Sequence, residues 1–249
     1  MKTFQYNLLL VIFLLSIVSC NAETKTKENI ENTIIAIEEE KPEPNLPQKS
    51  QMALYMEDAG LINIHSLDNT IKVNLKYATN DNFTKTILYD DLTEAYLHPL
   101  AAEKLVKAQQ LLKEIHPDYS LLIYDAARPM SVQKKMYAVV QNTKYKAYVA
   151  NPTRTGMHNY GMAVDLTICL PDGTPLDMGT PFDFFGKAAG INHEEELRAQ
   201  GTLNKQQIEN RKLLRKVMVQ AGFITIRGEW WHFNAVSLTE AKRITRVIE

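Results

Sequence analysis

Three side chains able to bind a divalent metal lie in two short stretches of this sequence. His158 and Asp165 belong to residues 156–165, and His232 follows Glu229 and two tryptophans. Neutral imidazole and carboxylate are suitable zinc ligands, and a catalytic zinc site takes three of them and leaves one position open. His158, Asp165 and His232 meet that count, so we predict that they bind one catalytic Zn²⁺.

The spacing of the first two ligands requires the chain to fold back between them. Seven residues along a straight helix would separate His158 and Asp165 by roughly 10 Å, because each residue rises about 1.5 Å. One ion cannot bridge that distance. Gly156 and Gly161 flank the histidine, and they are predicted to let the backbone turn and bring the two side chains together.

Glu229 is the predicted general base for a hydrolysis at this metal. A bound zinc lowers the pKa of its water to about 7, and a nearby carboxylate takes the proton as hydroxide attacks a carbonyl. Residues three apart on a regular strand point to opposite faces, so Glu229 and His232 need a bulge or turn, which Gly228 permits. Arg128 is a candidate for stabilising the developing oxyanion. A structural ion pair is an equally good interpretation of this arginine.

The elements that position these residues begin with a helix signalled by Pro99 and extending to Pro117. A buried strand is predicted over residues 120–124, and it is followed by a second helix with Ser131 as its N-cap. Arg128 is therefore expected at a strand-to-helix junction.

The remaining predicted elements include the strand that carries Asp165 and the segment that leads to His232. They are a strand over 163–170, a turn over 171–173, a return strand over 174–178, a helix from Asn204 to Gly222 and a strand over 223–227. The hairpin makes the sheet at least partly antiparallel, and the helices and strands interleave without regular βαβ spacing. The pattern predicts an α+β fold: a single domain with a central, largely antiparallel sheet flanked by helices.

Composition limits the class of partner. The 249 residues include 28 Lys and Arg against 29 Asp and Glu, a formal net charge of -1. Such a charge provides no long-range field for attracting nucleic acid or an anionic membrane surface. We therefore expect a small-molecule substrate, no nucleic acid, and one catalytic domain over residues 59–249.

The first twenty residues resemble a bacterial export signal with a lipidation site. Lys2 precedes an apolar run over residues 8–15, and residues 17–20 place small or apolar side chains before Cys20. This pattern favours a lipoprotein signal peptide over 1–20, with an ordinary signal peptide and an incidental cysteine as the alternative. A flexible linker is predicted over 21–58, where charged residues and prolines dominate. The protein is thus expected to be exported and membrane-anchored, on the periplasmic side or in the cell envelope, through lipidated Cys20 only.

Five ordered blocks of this chain resemble a known family, the bacterial D-alanyl-D-alanine dipeptidases or vancomycin-resistance X-type zinc peptidases. The blocks lie between about Lys76 and Phe233: residues 76–84, 125–129, 158–166, 178–184 and 229–232. The resemblance implies an α+β fold of the hedgehog and D,D-peptidase type.

The same resemblance assigns roles to individual residues. It implies zinc ligands at His158, Asp165 and His232, a base at Glu229, transition-state stabilisation by Arg128, and substrate contacts by Asp183, Tyr77 and Thr155. Asp183 is expected to recognise the free amino group of the substrate. Gly156 stands where the family usually has a serine, so that substrate hydrogen bond is either absent or supplied by Thr155.

The implied activity is zinc-dependent hydrolysis of D-alanyl-D-alanine or a related cell-wall dipeptide. A D,D-carboxypeptidase that acts on longer peptidoglycan peptides is the alternative enzyme. A non-catalytic binding module on the same zinc fold, as in hedgehog signalling domains, is a third interpretation. The presence of both Glu229 and Arg128 argues against a module without turnover.

Overall fold

The computed structural model of the protein describes residues 49–249. The predicted signal peptide, Cys20 and residues 21–48 of the predicted linker lie outside this part of the chain. Among the helices of residues 49–249, none has the length and apolar character needed to cross a bilayer.

The described chain begins with a short helix inside the segment predicted as linker. Helix α1 (Gln51–Asp58) is capped by Ser50, whose hydroxyl accepts a hydrogen bond from the Ala53 amide at 3.1 Å. Ala53 and Met56 are fully buried and belong to the main hydrophobic core. Since residues three apart share one helix face, this short apolar stripe holds residues 51–58 against the domain, which thus includes the last part of the predicted linker.

The strands form one central sheet and one small ribbon. In chain order the described strands are β1 (Ile62–Asn63), β2 (Lys72–Val73), β3 (Tyr96–Leu97), β4 (Ser120–Asp125), β5 (Ala163–Cys169), β6 (Ile224–Thr225) and β7 (His232–Asn234). Within residues 49–249 the central sheet has the order β2-β4-β5-β7-β6, while β1 and β3 pair separately. Only the β2–β4 pair of this sheet is parallel, so the prediction of a largely antiparallel sheet is confirmed.

Two long helices cover one face of the sheet. The helices after α1 are α2 (Pro99–Ile115), α3 (Met130–Val140), α4 (Glu194–Ala199), α5 (Lys205–Gln220) and α6 (Leu238–Ile244). Helices α2 and α5 pack against each other and against the central strands β4 and β5, every residue of which is buried. The α+β class is therefore confirmed.

The ends of the two long helices agree with the sequence prediction. Helix α2 has Pro99 at its first position, where a missing N–H has no cost, and His98 as its N-cap. In α5 the amide of Gln207 donates to the Asn204 side chain at 2.9 Å, and the Asn204 amide donates to the Gln207 side chain at 2.8 Å. This reciprocal pair is the predicted capping box.

Three predicted boundaries are wrong. Helix α3 begins at Met130 with Pro129 as its N-cap, two residues earlier than an N-cap at Ser131 would give. The return strand over 174–178 is reduced to one bridge between Cys169 and Pro175, because proline has no N–H for a ladder. The strand over 223–227 is only β6, two residues long, since its partner β7 offers only three residues for pairing.

Gly161 makes the predicted turn between the first two candidate ligands. A short 3₁₀ helix, Met157–Tyr160, ends at Gly161, whose φ of 63° lies in the left-handed region. The Gly161 carbonyl accepts a hydrogen bond from the His98 amide at 2.9 Å. A Cβ atom at this position would lie 2.8 Å from a Leu61 methyl and 2.9 Å from the His98 nitrogen, so only glycine fits.

Gly161→Ala should lower the free energy of unfolding by about 3 kcal/mol, because it adds a backbone clash to the strain of a left-handed residue. Gly201 is a matched control, since its φ is 72° and a Cβ there would meet nothing within 4 Å. Gly201→Ala should cost only about 1 kcal/mol. Urea denaturation of both variants measures the difference, and equal losses would show that the close approach at Gly161 is unimportant.

Candidate metal centre and surrounding cavity

His158, Asp165 and His232 converge on one point in the structure. Their candidate ligand atoms all lie within 4.8 Å of one another. His158 Nε2 is 3.2 Å from His232 Nδ1, which is 2.9 Å from Asp165 Oδ1. His158 and Asp165 are buried, and His232 is nearly so. The sequence prediction that these residues come together is confirmed, and the group fits a metal site.

The sheet register fixes two of the three ligands. Asp165 on β5 and His232 on β7 are direct antiparallel partners, and side chains of directly opposed residues lie on the same face. On its other side, Asp165 is paired with Asp125 at the end of β4. His158 reaches the same point from the 3₁₀ helix before Gly161, so two ligands depend on the sheet and one on the turn.

Hydrogen bonds to the outer nitrogens orient both imidazoles. His158 Nδ1 lies 2.7 Å from the Ala126 carbonyl, which can only accept, so this nitrogen carries a proton and donates it. His232 Nε2 is likewise 2.9 Å from Asn234 Oδ1. The inner nitrogens then present lone pairs to each other and to the carboxylate. Three acceptors that face one point suit a cation between them, and outer hydrogen bonds of this kind are typical of metal-binding histidines.

The electrostatics of the three residues agree with a cation site. Burial by itself would raise the pKa of Asp165, but the adjacent His158 and His232 rings hold that pKa below its usual range. Burial opposes the charge of His232, yet the hydrogen bond and proximity to Asp165 raise its pKa. The Asp165 carboxylate therefore favours a positive charge beside it.

Glu229 lies in the loop between β6 and β7 and lines the same cavity as the three candidate ligands. The chain bends at residues 227 and 228, as the prediction of a turn near Gly228 required. Burial, followed by the nearby charge of Asp165, raises the pKa of the Glu229 carboxyl. Its carboxylate makes no hydrogen bond or ion pair within residues 49–249. A raised pKa and an unengaged carboxylate suit a proton acceptor near neutral pH.

Arg128 is both an ion-pair partner and a residue of the cavity wall, so it agrees with both interpretations that the sequence left open. Its guanidinium donates to Asp125 Oδ2, with Nε at 3.0 Å, and to Gln133 Oε1 from Nη1 at 3.0 Å. It also lies over the Tyr77 ring, 5.1 Å from the centroid, and lines the metal cavity. Although burial opposes the charge, Asp125 raises the pKa of Arg128 well above its usual value. The ion pair therefore holds a permanent positive charge at the cavity wall.

Asp183 and Tyr77 form a second wall of this cavity. The Tyr77 hydroxyl donates to the Asp183 carboxylate at 3.0 Å. Asp183 has a φ of 58°, an unusual conformation for a residue other than glycine. Burial, followed by the charge of Asp165, raises the pKa of Asp183 well above its usual value. The hydrogen bond from Tyr77 and the unusual backbone conformation fix the Asp183 carboxylate at the cavity wall, where it can bind a cationic group.

Arg211 anchors the loop that carries Asp183. Its fully buried guanidinium donates to the carbonyl of Met178 at 2.6 Å and to that of Ala188 at 2.9 Å. It also lies 5.9 Å from the Trp230 ring centroid and 3.7 Å from Glu194. One side chain on α5 therefore fixes both ends of the loop.

The cavity itself is small, about 280 Å³, at the lower end of the range for ligand sites. Thr155 is not among its lining residues, and its hydroxyl is 2.9 Å from that of Tyr160. A substrate contact by Thr155 therefore stays a prediction. Sequence reasoning also missed Asn234, although its spacing of two residues from His232 on a strand places both on one face.

Residues 57–249 match the peptidase M15 family, described as D-Ala-D-Ala dipeptidase. The chain is similar to the D-alanyl-D-alanine dipeptidase of Escherichia coli K12, with 31% identity over 174 residues, 70% of this chain and 83% of the relative. It is 30% identical over 193 residues to the D-alanyl-D-alanine dipeptidase of Enterococcus faecium, 71% of this chain and 91% of the relative. The corresponding protein of Enterococcus faecalis V583 is 28% identical over 200 residues, 71% and 92% of the two chains.

The raised pKa values of Asp183 and Glu229 predict how the metal-free protein responds to pH. An acid whose pKa is raised on folding stabilises the fold fully below its ordinary pKa, 3.8 or 4.5 here, and that contribution is lost as the pH rises through the folded value. From pH 5 to pH 8 the metal-free wild type should therefore lose more stability than an Asp183→Asn, Glu229→Gln double variant. Urea midpoints at both pH values test this, and a steeper loss in the double variant would contradict it.

Proposed function

Because the chain belongs to the D-Ala-D-Ala dipeptidase family of M15 metallopeptidases, we propose that it hydrolyses D-alanyl-D-alanine, or a closely related cell-wall dipeptide, to free amino acids. The proposal is carried by one observation: the residues that the reaction needs all line the same small cavity. The buried His158, Asp165 and His232 group, the unengaged Glu229 carboxylate and the Arg128 guanidinium all face it.

Zn²⁺ is the metal that we propose for His158, Asp165 and His232, since imidazole and carboxylate in a three-ligand set suit it. When bound, zinc supplies a Lewis acid that polarises a carbonyl oxygen and lowers the pKa of water to about 7. The outer hydrogen bonds to Ala126 and Asn234 keep both rings in the tautomer that such binding needs.

The protein side chains divide the remaining work. Glu229 accepts the proton of the attacking water and returns it to the leaving amine, a role suited to its raised pKa. Arg128 stabilises the negative charge that develops on the former carbonyl oxygen, and Asp125 keeps the guanidinium oriented. Trp231 lines the cavity and is itself only 2% exposed. It excludes water from the cavity, which strengthens the electrostatic interactions of Glu229 and Arg128.

Asp183 and Tyr77 support a dipeptide rather than a longer peptide as the substrate. In the proposed complex the Asp183 carboxylate binds the free amino group, and the Tyr77 hydroxyl fixes that carboxylate. An ammonium in a closed cavity needs such a partner, since an unpaired buried charge is costly. A longer peptide would present a neutral amide there. Thr155 remains a predicted substrate contact for which the cavity lining gives no support.

Glu229→Gln should retain Zn²⁺ but lose turnover of D-Ala-D-Ala by about 10²- to 10⁴-fold, because the amide keeps the shape and cannot accept the proton. D-alanine release by the purified wild-type protein, abolished by a chelator and restored by Zn²⁺, establishes the reference. Glu209→Gln is the matched control, since Glu209 is exposed and pairs only with Lys212 at the surface.

Two outcomes would decide against the proposal. Full activity of Glu229→Gln would remove Glu229 as the base. Release of D-alanine from an intact pentapeptide, with none from the free dipeptide, would favour the D,D-carboxypeptidase instead.

We also propose that the protein is an exported lipoprotein, anchored to the membrane in the cell envelope through lipidated Cys20. The apolar run over residues 8–15 and the position of Cys20 directly after it support this proposal. An enzyme located there would act on wall fragments rather than on a cytoplasmic precursor.

Cys20→Ser should abolish incorporation of labelled palmitate and move the protein from the membrane fraction to the soluble fraction. Cys169→Ser, which changes a buried strand residue, is the matched control and should leave lipid incorporation unchanged. Recovery of unlabelled wild-type protein from the cytoplasm would overturn the proposal.

A further inference from the structure

A second and larger cavity lies beside the metal cavity and is not used by the proposed reaction. This groove has a volume of about 770 Å³, and it shares Phe83 and Asp183 with the metal cavity. Its volume falls within the range of sites that bind molecules much larger than a dipeptide. The two cavities therefore meet at a common wall but differ in size and lining.

Thr167 gives the groove an unpartnered polar group. It lies on β5 two residues beyond Asp165, so both side chains are on the same face of the sheet. Thr167 is fully buried, and its hydroxyl is the one buried side-chain polar atom within residues 49–249 that has no hydrogen-bond partner. A buried hydroxyl without a partner loses free energy. Thr167 lines the groove, and a ligand that reaches its hydroxyl would restore the hydrogen bond.

Two further groups are available to a ligand at the same wall. The Tyr124 hydroxyl makes no hydrogen bond within the described chain, and burial raises its pKa to about 12, so it remains a donor at neutral pH. The Lys76 ammonium lies 5.4 Å from the centroid of the Tyr124 ring. These groups line the groove together with Thr167, and each can donate a hydrogen bond to a carbonyl or carboxylate oxygen.

Charges of both signs line the groove. Lys76 is paired with Asp81 at 2.7 Å, while Lys85 forms no ion pair in residues 49–249. Asp177 accepts hydrogen bonds from the Gly179 amide and the Gln207 side chain, both at 2.8 Å. The mixture does not favour a purely anionic or cationic ligand. It matches a molecule with separated ammonium and carboxylate groups and a polar backbone between them.

We propose that this groove is a second binding site, which takes a short peptide carrying both ammonium and carboxylate groups. The second site extends the proposed function and rests on it in one respect. An enzyme that hydrolyses cell-wall dipeptides would encounter short peptides of this kind. Hydroxyls of Thr167 and Tyr124 bind the peptide backbone, and Lys76 binds a carboxylate. Apolar contact with Trp230 and Phe182 completes the site.

The two tryptophans of the chain report on the two cavities separately. Trp230 lines the groove and donates from its indole nitrogen to Thr180 Oγ1 at 2.8 Å, whereas Trp231 lines the metal cavity. Their indole N–H signals in a nitrogen-15 spectrum therefore distinguish binding in the groove from binding at the metal.

The experiment titrates the tripeptide Ala-Glu-Lys, with free termini, into the full chain carrying Glu229→Gln and loaded with Zn²⁺. The uncharged peptide acetyl-Ala-Gln-Gln-amide is the control ligand. We expect the Trp230 signal to shift in a saturable way with Ala-Glu-Lys, with a much smaller shift of the Trp231 signal and weak binding of the control. Because turnover is blocked, the result does not depend on whether the dipeptidase proposal holds.

Two variants in the same background test the named contacts. Lys76→Met should weaken binding at least tenfold, and Thr167→Val should weaken it about threefold to tenfold, the effect of losing one hydrogen bond. Thr167→Val removes an unpartnered hydroxyl and is expected to fold, while Thr225→Val on β6 is the matched control with unchanged affinity. No saturable shift of Trp230, a shift confined to Trp231, or equal affinity in all variants would overturn the proposal.

Discussion

The convergence of three hydrogen-bond acceptors on one buried point is the constraint on which this structure depends. Two imidazoles and a carboxylate whose candidate ligand atoms all lie within 4.8 Å of one another favour a positive charge between them. The protein enforces this arrangement through backbone pairing, because Asp165 and His232 are opposed across β5 and β7. The cost of assembling the group is thus met by the folding of the central sheet.

The acidic residues around this group have different partners and therefore different roles. Asp125 and Asp165 are neighbours across β4 and β5, yet Asp125 is engaged by Arg128 and by the Tyr89 hydroxyl at 2.6 Å. Asp183 and Glu229 lie farther out, where burial and the charge of Asp165 raise their pKa values. The same fold therefore holds one acid as an ion-pair partner, one as a candidate metal ligand and two in forms that bind protons more readily.

The sequence predicts the candidate metal-binding residues better than it predicts the residues that line the walls of the cavity. Residue type and spacing are enough to identify His158, Asp165 and His232, and Gly161 predicts the turn because glycine readily adopts the left-handed φ that the turn needs. The shortness of β6, the hydrogen bond between the Thr155 and Tyr160 hydroxyls and the support of His232 by Asn234 are not predictable in this way. Each depends on which segments the tertiary fold places side by side, and local spacing carries no information about that.

The candidate metal ligands lie on paired strands and beside a glycine turn. The wall of the cavity that carries Asp183 is instead formed by a loop. The loop bearing Asp183 is held from behind by Arg211, through carbonyl groups that any residue would supply. The hydrogen bonds from Arg211 therefore hold the loop independently of which side chains it carries. Over evolutionary time such a loop can exchange residues, and with them the substrate, while the hydrolytic centre is inherited unchanged.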